Sequence, residues 1–330
     1  MALKELGKEY PEPNEAKDTE EIISAIKKRL ERDYPPGKIL RQFHAKMHAC
    51  VKATFTIESN LPENFQYGFL VPGKSYEAWI RYSNGSDRVA KDKRADLRGM
   101  AIKLLNVNGE FISNDIALPK SQDFLLVTYP TLMSATVSDF KKNIIALCGG
   151  KSTLILFALN PINWPTIVRT MRSLKKHDNL FAEQFWSVSP YRLGRPDQAV
   201  KYLVIPTTKK ISIPTDKNNS HFLRTVMQQN LESTTVTFDF MIQMQKDADK
   251  MPIENTCVEW KSEFVKVATI SIAPQNFDTA ECNVFGENLS YSPWHCLKEH
   301  QPLGGVNRAR HAAYMEMAKF RRERNKLLNN

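Results

Sequence analysis

Five cysteines in 330 residues, Cys50, Cys148, Cys257, Cys282 and Cys296, are too few and too widely spaced for a disulfide framework, and no CxxC pair offers a zinc site. They read as free thiols. No apolar run reaches the roughly 18 residues of a spanning helix. The longest candidate, Ile144 to Leu159, is broken by Gly149, Gly150 and Lys151, so no transmembrane segment is expected. The N-terminus from Met1 to Pro11 lacks the apolar core of a secretory signal, which makes the cytoplasm the expected compartment. GxGxxG and GxSxG are absent, and the one GxxxxGK match, Gly68 to Lys74, leads into the strand expected at 76–82 rather than into the helix a phosphate loop needs, which sets aside nucleotide, phosphate and serine-hydrolase chemistry.

What is present is an ordinary globular composition: 42% hydrophobic, 10% aromatic and 25% charged residues. The length allows two domains or one large β-rich unit. The net charge of +10 comes from 46 basic and 36 acidic residues that are mostly interspersed, which argues against a nucleic-acid partner. The exception is the C-terminus, where Arg308, Arg310, Lys319, Arg321, Arg322, Arg324 and Lys326 crowd together.

Residues 1 to 17 are rich in charge and proline and are expected to form an arm. Asp18 with Glu21 three residues on is a capping-box-like pair, and Ile22, Ile23, Ile26 and Leu30 form one helical stripe ended by Pro35-Pro36-Gly37. From Arg41 the period becomes two: Val51, Ala53, Phe55 and Ile57 alternate with Lys52, Thr54 and Thr56. Further strands are expected at 76–82, 100–107, 110–116, 124–129, 199–205, 234–242 and 264–272, with Asn108-Gly109 as a hairpin turn. Seven or eight strands in hairpin order argue for an antiparallel barrel or sandwich. The stretch 140–183 reads as helix and loop packed outside the sheet, with Asn160-Pro161 and Trp164-Pro165 as breakers. After Gly304-Gly305, residues 307–325 form the strongest helical segment.

On that last helix Arg310, Tyr314, Met317 and Arg321 are spaced i, i+4, i+7 and i+11 and share one face. Cationic neighbours favour a phenolate, and a phenolate is a competent axial ligand for haem iron. The same spacing also suits a solvated basic face. A zinc helix at His44 and His48 fails because Ala45 stands where the glutamate of such a motif belongs. His295, Cys296 and His300 are expected to pack beside Trp294, and His177, His221 and His311 to lie at the surface.

A second segment, Arg41-Gln42-Phe43-His44-Ala45-Lys46, precedes the first strand. It resembles the distal segment of haem catalases. Ile80-Arg81-Tyr82-Ser83, then Asp96-Leu97-Arg98-Gly99-Met100, then Arg310-x-x-x-Tyr314 with Arg321 follow in the order of that family. Trp186 to Gly194 and Ser292 to Arg308 look like its short branch, catalase-related haem proteins reduced to the barrel core, some of which rearrange fatty-acid hydroperoxides.

The resemblance implies an α+β fold: a catalase-like antiparallel β-barrel with flanking helices and a C-terminal helix that ligates haem b. It divides the chain into an arm and helix over 1–40 and a haem-binding domain over 41–330. It implies Tyr314 as the iron ligand, with Arg310 as its charge partner, and His44 as the distal base, hydrogen-bonded by Ser83. Arg41, Arg81 and Arg321 would hold the propionates, and Phe140 would stack on the distal haem face. The departures lie at the distal side. The family's asparagine near Pro130 is absent, with Thr128 as its expected replacement, and Phe43 replaces a smaller residue before the histidine. The reading is therefore a haem peroxidase-type enzyme acting on organic or lipid hydroperoxides, or on hydrogen peroxide with an unidentified reductant, with weak catalase activity. A homodimer is compatible with it. The alternative is a haem-binding protein for storage or sensing.

Overall fold

The computed structural model describes residues 4–37, 39–112 and 120–326. Period-two burial along β1 (Met47–Ile57) puts Val51, Phe55 and Ile57 on one side, and the same alternation in β2 (Ser75–Asn84) turns Tyr76, Ala78, Ile80 and Tyr82 to that side. These strands continue antiparallel into β3 (Arg98–Leu104), β4 (Gln122–Val127) and the two-residue β5 (Phe185–Trp186). On the other side of β1 follow β9 (Phe264–Ile272), β8 (Val236–Met244) and β7 (Arg195–Pro206). Pairing of β5 with β7 closes eight strands into a barrel, and β6 (Tyr191–Leu193) adds to β7 outside the ring.

The barrel interior is filled mainly by aromatic and branched side chains. Phe124 meets Phe240 at 4.9 Å and Tyr202 at 5.0 Å, and Phe55 meets Phe240 at 5.0 Å, all edge-on. There is no room inside for a large ligand. Function therefore falls to the outer face, where Trp79, Arg81 and Ser83 of β2 point.

Helices cover that face. A second apolar cluster joins α1 (Glu15–Asp33), α2 (Val137–Gly149) and α7 (Gly305–Lys326) through Ile22, Ile26, Leu30, Val137, Ile144, Ala309 and Phe320. α6 (Ala280–Asn288) lies on β1 and β2, with Phe285 against Trp79 at 4.5 Å. α3 (Lys151–Leu159) and α4 (Trp164–Ser173) extend from α2, and α5 (Phe222–Leu231) packs on β1.

Several sequence expectations give way. The Asn108-Gly109 hairpin does not form: Leu104 ends β3 opposite Gln122, so β4 occupies the edge that a strand at 110–116 would need. Glu110 and Phe111 instead pair with the backbone at Leu297 and Lys298, and residues 113–116 of that expected strand lie outside the described residues. Asp18 is not a cap: α1 begins at Glu15, and Asp18 lies a turn inside it, bound to Lys141 at 2.6 Å. Trp164-Pro165 opens a helix rather than breaking one, because proline lacks only an N–H that the first turn cannot use. His177 is buried, hydrogen-bonding the Asp96 carbonyl at 3.3 Å and pairing with Glu183 at 2.9 Å.

Candidate active site

Ser83 near the end of β2 starts the site. It pairs with Gly99 of β3, which pairs with Val127 of β4, which pairs with Trp186 of β5. Directly opposed residues share a face, so these four form one row across the outside of the barrel. A bulge between Met47 and Ala49 of β1 lies at the start of that row and lets the preceding segment turn back over it.

That segment carries His44. Its φ of 58° is the left-handed conformation that a residue with a Cβ adopts only at a cost of roughly 1 kcal/mol or more, and such strain is held where the surroundings dictate it. Nδ1 of His44 lies 3.0 Å from Ser83 Oγ, and Arg81 donates to the His44 carbonyl at 3.1 Å. Gly99 lies beneath the ring. A Cβ there would come within 2.5 Å of His44 Nδ1 and 2.9 Å of Ser83 Oγ, so only glycine admits this placement. With Nδ1 engaged by Ser83, Nε2 remains to exchange protons. Burial first, and then the charge of Arg81, lower the imidazole pKa to about 4, so His44 is a neutral base at physiological pH.

Three guanidiniums gather beside it. Arg41 binds Glu287 of α6 at 2.5 Å and the carbonyls of Glu287 and Leu289 at 2.9 and 2.7 Å. Arg81 reaches the same carboxylate at 3.3 Å. Arg321 of α7 donates no hydrogen bond among the described residues. Burial lowers the basicity of Arg41 and Arg321, and mutual repulsion with Arg81 adds to it, against partial compensation by Glu287. Among the described residues Arg81 Nε is buried without a partner. The cluster is thus short of anionic acceptors.

One turn apart on α7, Arg310 lies over the Tyr314 ring at 5.4 Å and donates to its hydroxyl at 3.4 Å. Asn307 and Ser189 hold the other end of the guanidinium at 3.2 and 3.4 Å. Desolvation opposes the Arg310 charge, but Tyr314 and Tyr191 more than restore it. Phe43, next to His44, packs against the apolar cluster that includes Ala309 and Phe320 of α7, and the charge of Arg310 adds slightly to the lowering of the His44 pKa. Phe43, Phe140 and Met317 add part-buried apolar surface to the same helical cluster.

Thus Ser83, His44, Arg81 and Arg41 meet, with Arg321 and Arg310 within electrostatic reach and Tyr314 beside Arg310. Thr128 follows the last residue of β4. Its hydroxyl accepts from the Arg98 N–H at 3.0 Å, and the strand register gives the position beside Gly99 to Val127. A one-residue difference exchanges the two faces of a strand, which sequence spacing from Pro130 could not resolve. Sequence reasoning also missed Glu287, a lone carboxylate in α6 with no local signal. Gly99 stood in the Asp96–Met100 motif but just ahead of the strand expected at 100–107, and its place beneath His44 was not read from the sequence.

The charge and hydrogen-bonding of this donor set bear on whether it can hold haem. Two arginines sharing one carboxylate, with a third guanidinium nearby that donates to no group among the described residues, suit a ligand bearing two carboxylates, and the arginine-paired Tyr314 phenol suits ferric iron. The residues fit the group. Among the described residues no cluster of three His, Cys, Asp or Glu side chains offers a different metal site.

Comparison with known proteins gives the same architecture. Catalase A from Saccharomyces cerevisiae superposes with a TM-score of 0.67 at 16% identity over 97% of this chain and 67% of that one. A fungal catalase superposes with a TM-score of 0.67 at 15% identity over 97% of this chain and 65% of that one. A bacterial catalase gives 0.63 at 14% identity over 88% of this chain and 58% of that one. The chain has the catalase fold and spans 58% to 67% of the length of these catalases. No protein-family model and no curated sequence matches it.

Proposed function

We propose that this chain is a haem-dependent enzyme that cleaves the O–O bond of peroxides in the cytoplasm, favouring organic or lipid hydroperoxides over hydrogen peroxide alone, with weak catalase activity. The observation that carries the reading is His44, held neutral in a strained backbone over Gly99 with Nδ1 occupied by Ser83 and Nε2 left for proton exchange. A storage protein has no use for such a base.

Tyr314 is the proposed ligand to haem b iron and Arg310 the group that favours its phenolate. Arg41, Arg81 and Arg321 take the two propionates, and Phe140 covers the distal side. The catalytic unit is residues 41–330, with 1–40 as its arm. Bound haem would supply the iron and the electrons for O–O cleavage. His44 does the protein's part of the reaction. Nε2 takes the proton of the incoming hydroperoxide and returns it to the departing oxygen, which leaves as alcohol or water. Ser83 keeps the ring oriented through both transfers.

Val127 supports the substrate preference. A fixed amide donor there would help hold hydrogen peroxide through the two steps of dismutation, and an isopropyl group gives no hydrogen bond. Thr128 keeps a supporting role through Arg98. The test is oxygen release from hydrogen peroxide beside consumption of cumene and fatty-acid hydroperoxides by one haemin-loaded preparation. Preferential organic turnover is expected. Oxygen evolution at an ordinary catalase rate without organic turnover overturns the preference, and inertness toward every peroxide overturns the enzyme reading in favour of haem storage or sensing.

A further inference from the structure

The layer built by α3, α4 and the end of α2 is unlike the rest of the surface. Of the nineteen large apolar side chains exposed among the described residues, eleven fall between Ile145 and Leu174. α3 buries none of its nine residues, and Leu156, Leu159 and Ile162 are 68%, 71% and 75% exposed. An apolar patch of this density on a soluble domain marks an interaction surface.

Its polar groups are already satisfied. Trp164 Nε1 donates to the Ala158 carbonyl at 3.0 Å, Asn163 to the Phe157 carbonyl at 2.9 Å, and Thr153 to those of Ala146 and Gly150 at 2.8 and 2.9 Å. Asn160 Oδ1 accepts from the Ile162 N–H at 3.1 Å. The turn between the two helices can therefore leave water without stranding its side-chain donors, as a low-dielectric surface requires.

Charge selects the occupant. No carboxylate occurs between Asp139 and Asp178, while Lys141, Lys142, Lys151, Arg169, Arg172, Lys175 and Lys176 do. Lys151, Arg172, Lys175 and Lys176 are exposed and free of ion pairs among the described residues. A second copy seated on this face about a two-fold axis would set these cations against themselves. An anionic lipid surface instead matches both the charge and the apolar face, with an exposed tryptophan at the depth where such rings settle.

We propose that α3, α4 and the turn joining them form a membrane-docking surface that inserts Leu156, Leu159, Ile162 and Trp164 into the interfacial region of a bilayer rich in anionic lipid. This reading does not depend on haem or on peroxide chemistry.

The test is sedimentation with vesicles of phosphatidylcholine alone and of phosphatidylcholine mixed with phosphatidylglycerol, using the full chain. Binding to the mixed vesicles is expected, weakened as NaCl rises from about 0.1 to about 0.5 M. The double variant Leu156→Asp/Ile162→Asp should lose binding at least tenfold with unchanged circular dichroism and Tm. Lys175→Glu/Lys176→Glu should lose about tenfold or more. Ile213→Asp, at an exposed apolar residue elsewhere, should bind as the parent does. Brominated lipid should quench the parent more than Trp164→Phe. Failure of the parent to sediment with mixed vesicles, or equal loss in Ile213→Asp, overturns the proposal. So does a dimer in solution that the Leu156→Asp/Ile162→Asp pair converts to monomer, which would assign the face to a second copy.

Discussion

Two buried cationic sites lie on the same outer face of the barrel, and they are completed in opposite ways. In one, Lys103 of β3 donates to both oxygens of Asp123 at 2.7 and 2.8 Å and to Ser121 at 2.9 Å, while His295 and the Ser292 N–H bind the same carboxylate at 3.0 and 3.1 Å. Burial pushes the Asp123 pKa up, but the Lys103 charge and the His295 hydrogen bond outweigh it and hold the carboxyl below its ordinary value. In the other, Arg41 and Arg81 share Glu287, Arg321 lies within its electrostatic reach without bonding it, and among the described residues a buried N–H of Arg81 goes without a partner. A group kept for stability has its charges matched within the chain. The arginine cluster is matched only in part, and the propionate role proposed for it rests on that difference.

Substitutions sharpen that contrast. Lys103→Met removes the one full cation at the buried Asp123, leaving His295 and the Ser292 N–H on its carboxylate, and should cost about 3 kcal/mol of unfolding free energy, read by urea denaturation, with no recovery on adding haemin. His44→Ala should leave stability and haem binding nearly intact while slowing reaction with peroxide by about 10² to 10⁴, read by rapid mixing. A loss under about threefold would remove His44 from the distal role.

The pH profile follows from the same residue. Because its folded pKa is lowered to about 4, His44 stays unprotonated above that value. The rate of peroxide reaction should be flat from neutral pH into mild acid and fall only as pH drops through about 4. A fall near the ordinary imidazole value of about 6.5 would mean that the base is not desolvated.

Arg81→Met removes one cation from the under-matched cluster. It should weaken haemin binding by about tenfold or more, since a charge-assisted hydrogen bond is lost, and cost less stability than Lys103→Met. The smallest effect is expected at the distal row. Val127→Asn should raise oxygen release from hydrogen peroxide several-fold, and Thr128→Asn should do less, because the Thr128 hydroxyl is turned to the Arg98 backbone.

The legibility of the sequence followed the range of the interactions. The strand at 264–272 has its observed ends, because alternation is local, and the last helix extends only from 307–325 to 305–326. The barrel followed from strand count and the family resemblance together. Asn108-Gly109 misled because a hairpin also needs a free strand edge, and Gln122 occupies the one beside Leu104. His177 looked like a surface residue from its polar neighbours in sequence, whereas Asp96 and Glu183 partner it in space. Within the site, residues carried by motifs were legible: His44, Ser83, Arg81 and the Arg310–Tyr314 pair. Glu287 and Val127 were not, since one acts through contacts more than 200 positions away and the other through strand register. The exposed face of α3 was also out of reach, because an apolar run reads alike whether a protein core or another surface covers it.

The proposed haem site is built on the partly matched arginines and Tyr314. It is tested most directly by titrating haemin into the purified chain and into Tyr314→Phe and recording the visible absorption and magnetic circular dichroism spectra. The parent should bind one equivalent as high-spin ferric haem with a phenolate-ligand signature, and Tyr314→Phe should lose that signature and retain haem weakly. Identical spectra and affinities in the two proteins would contradict the assignment.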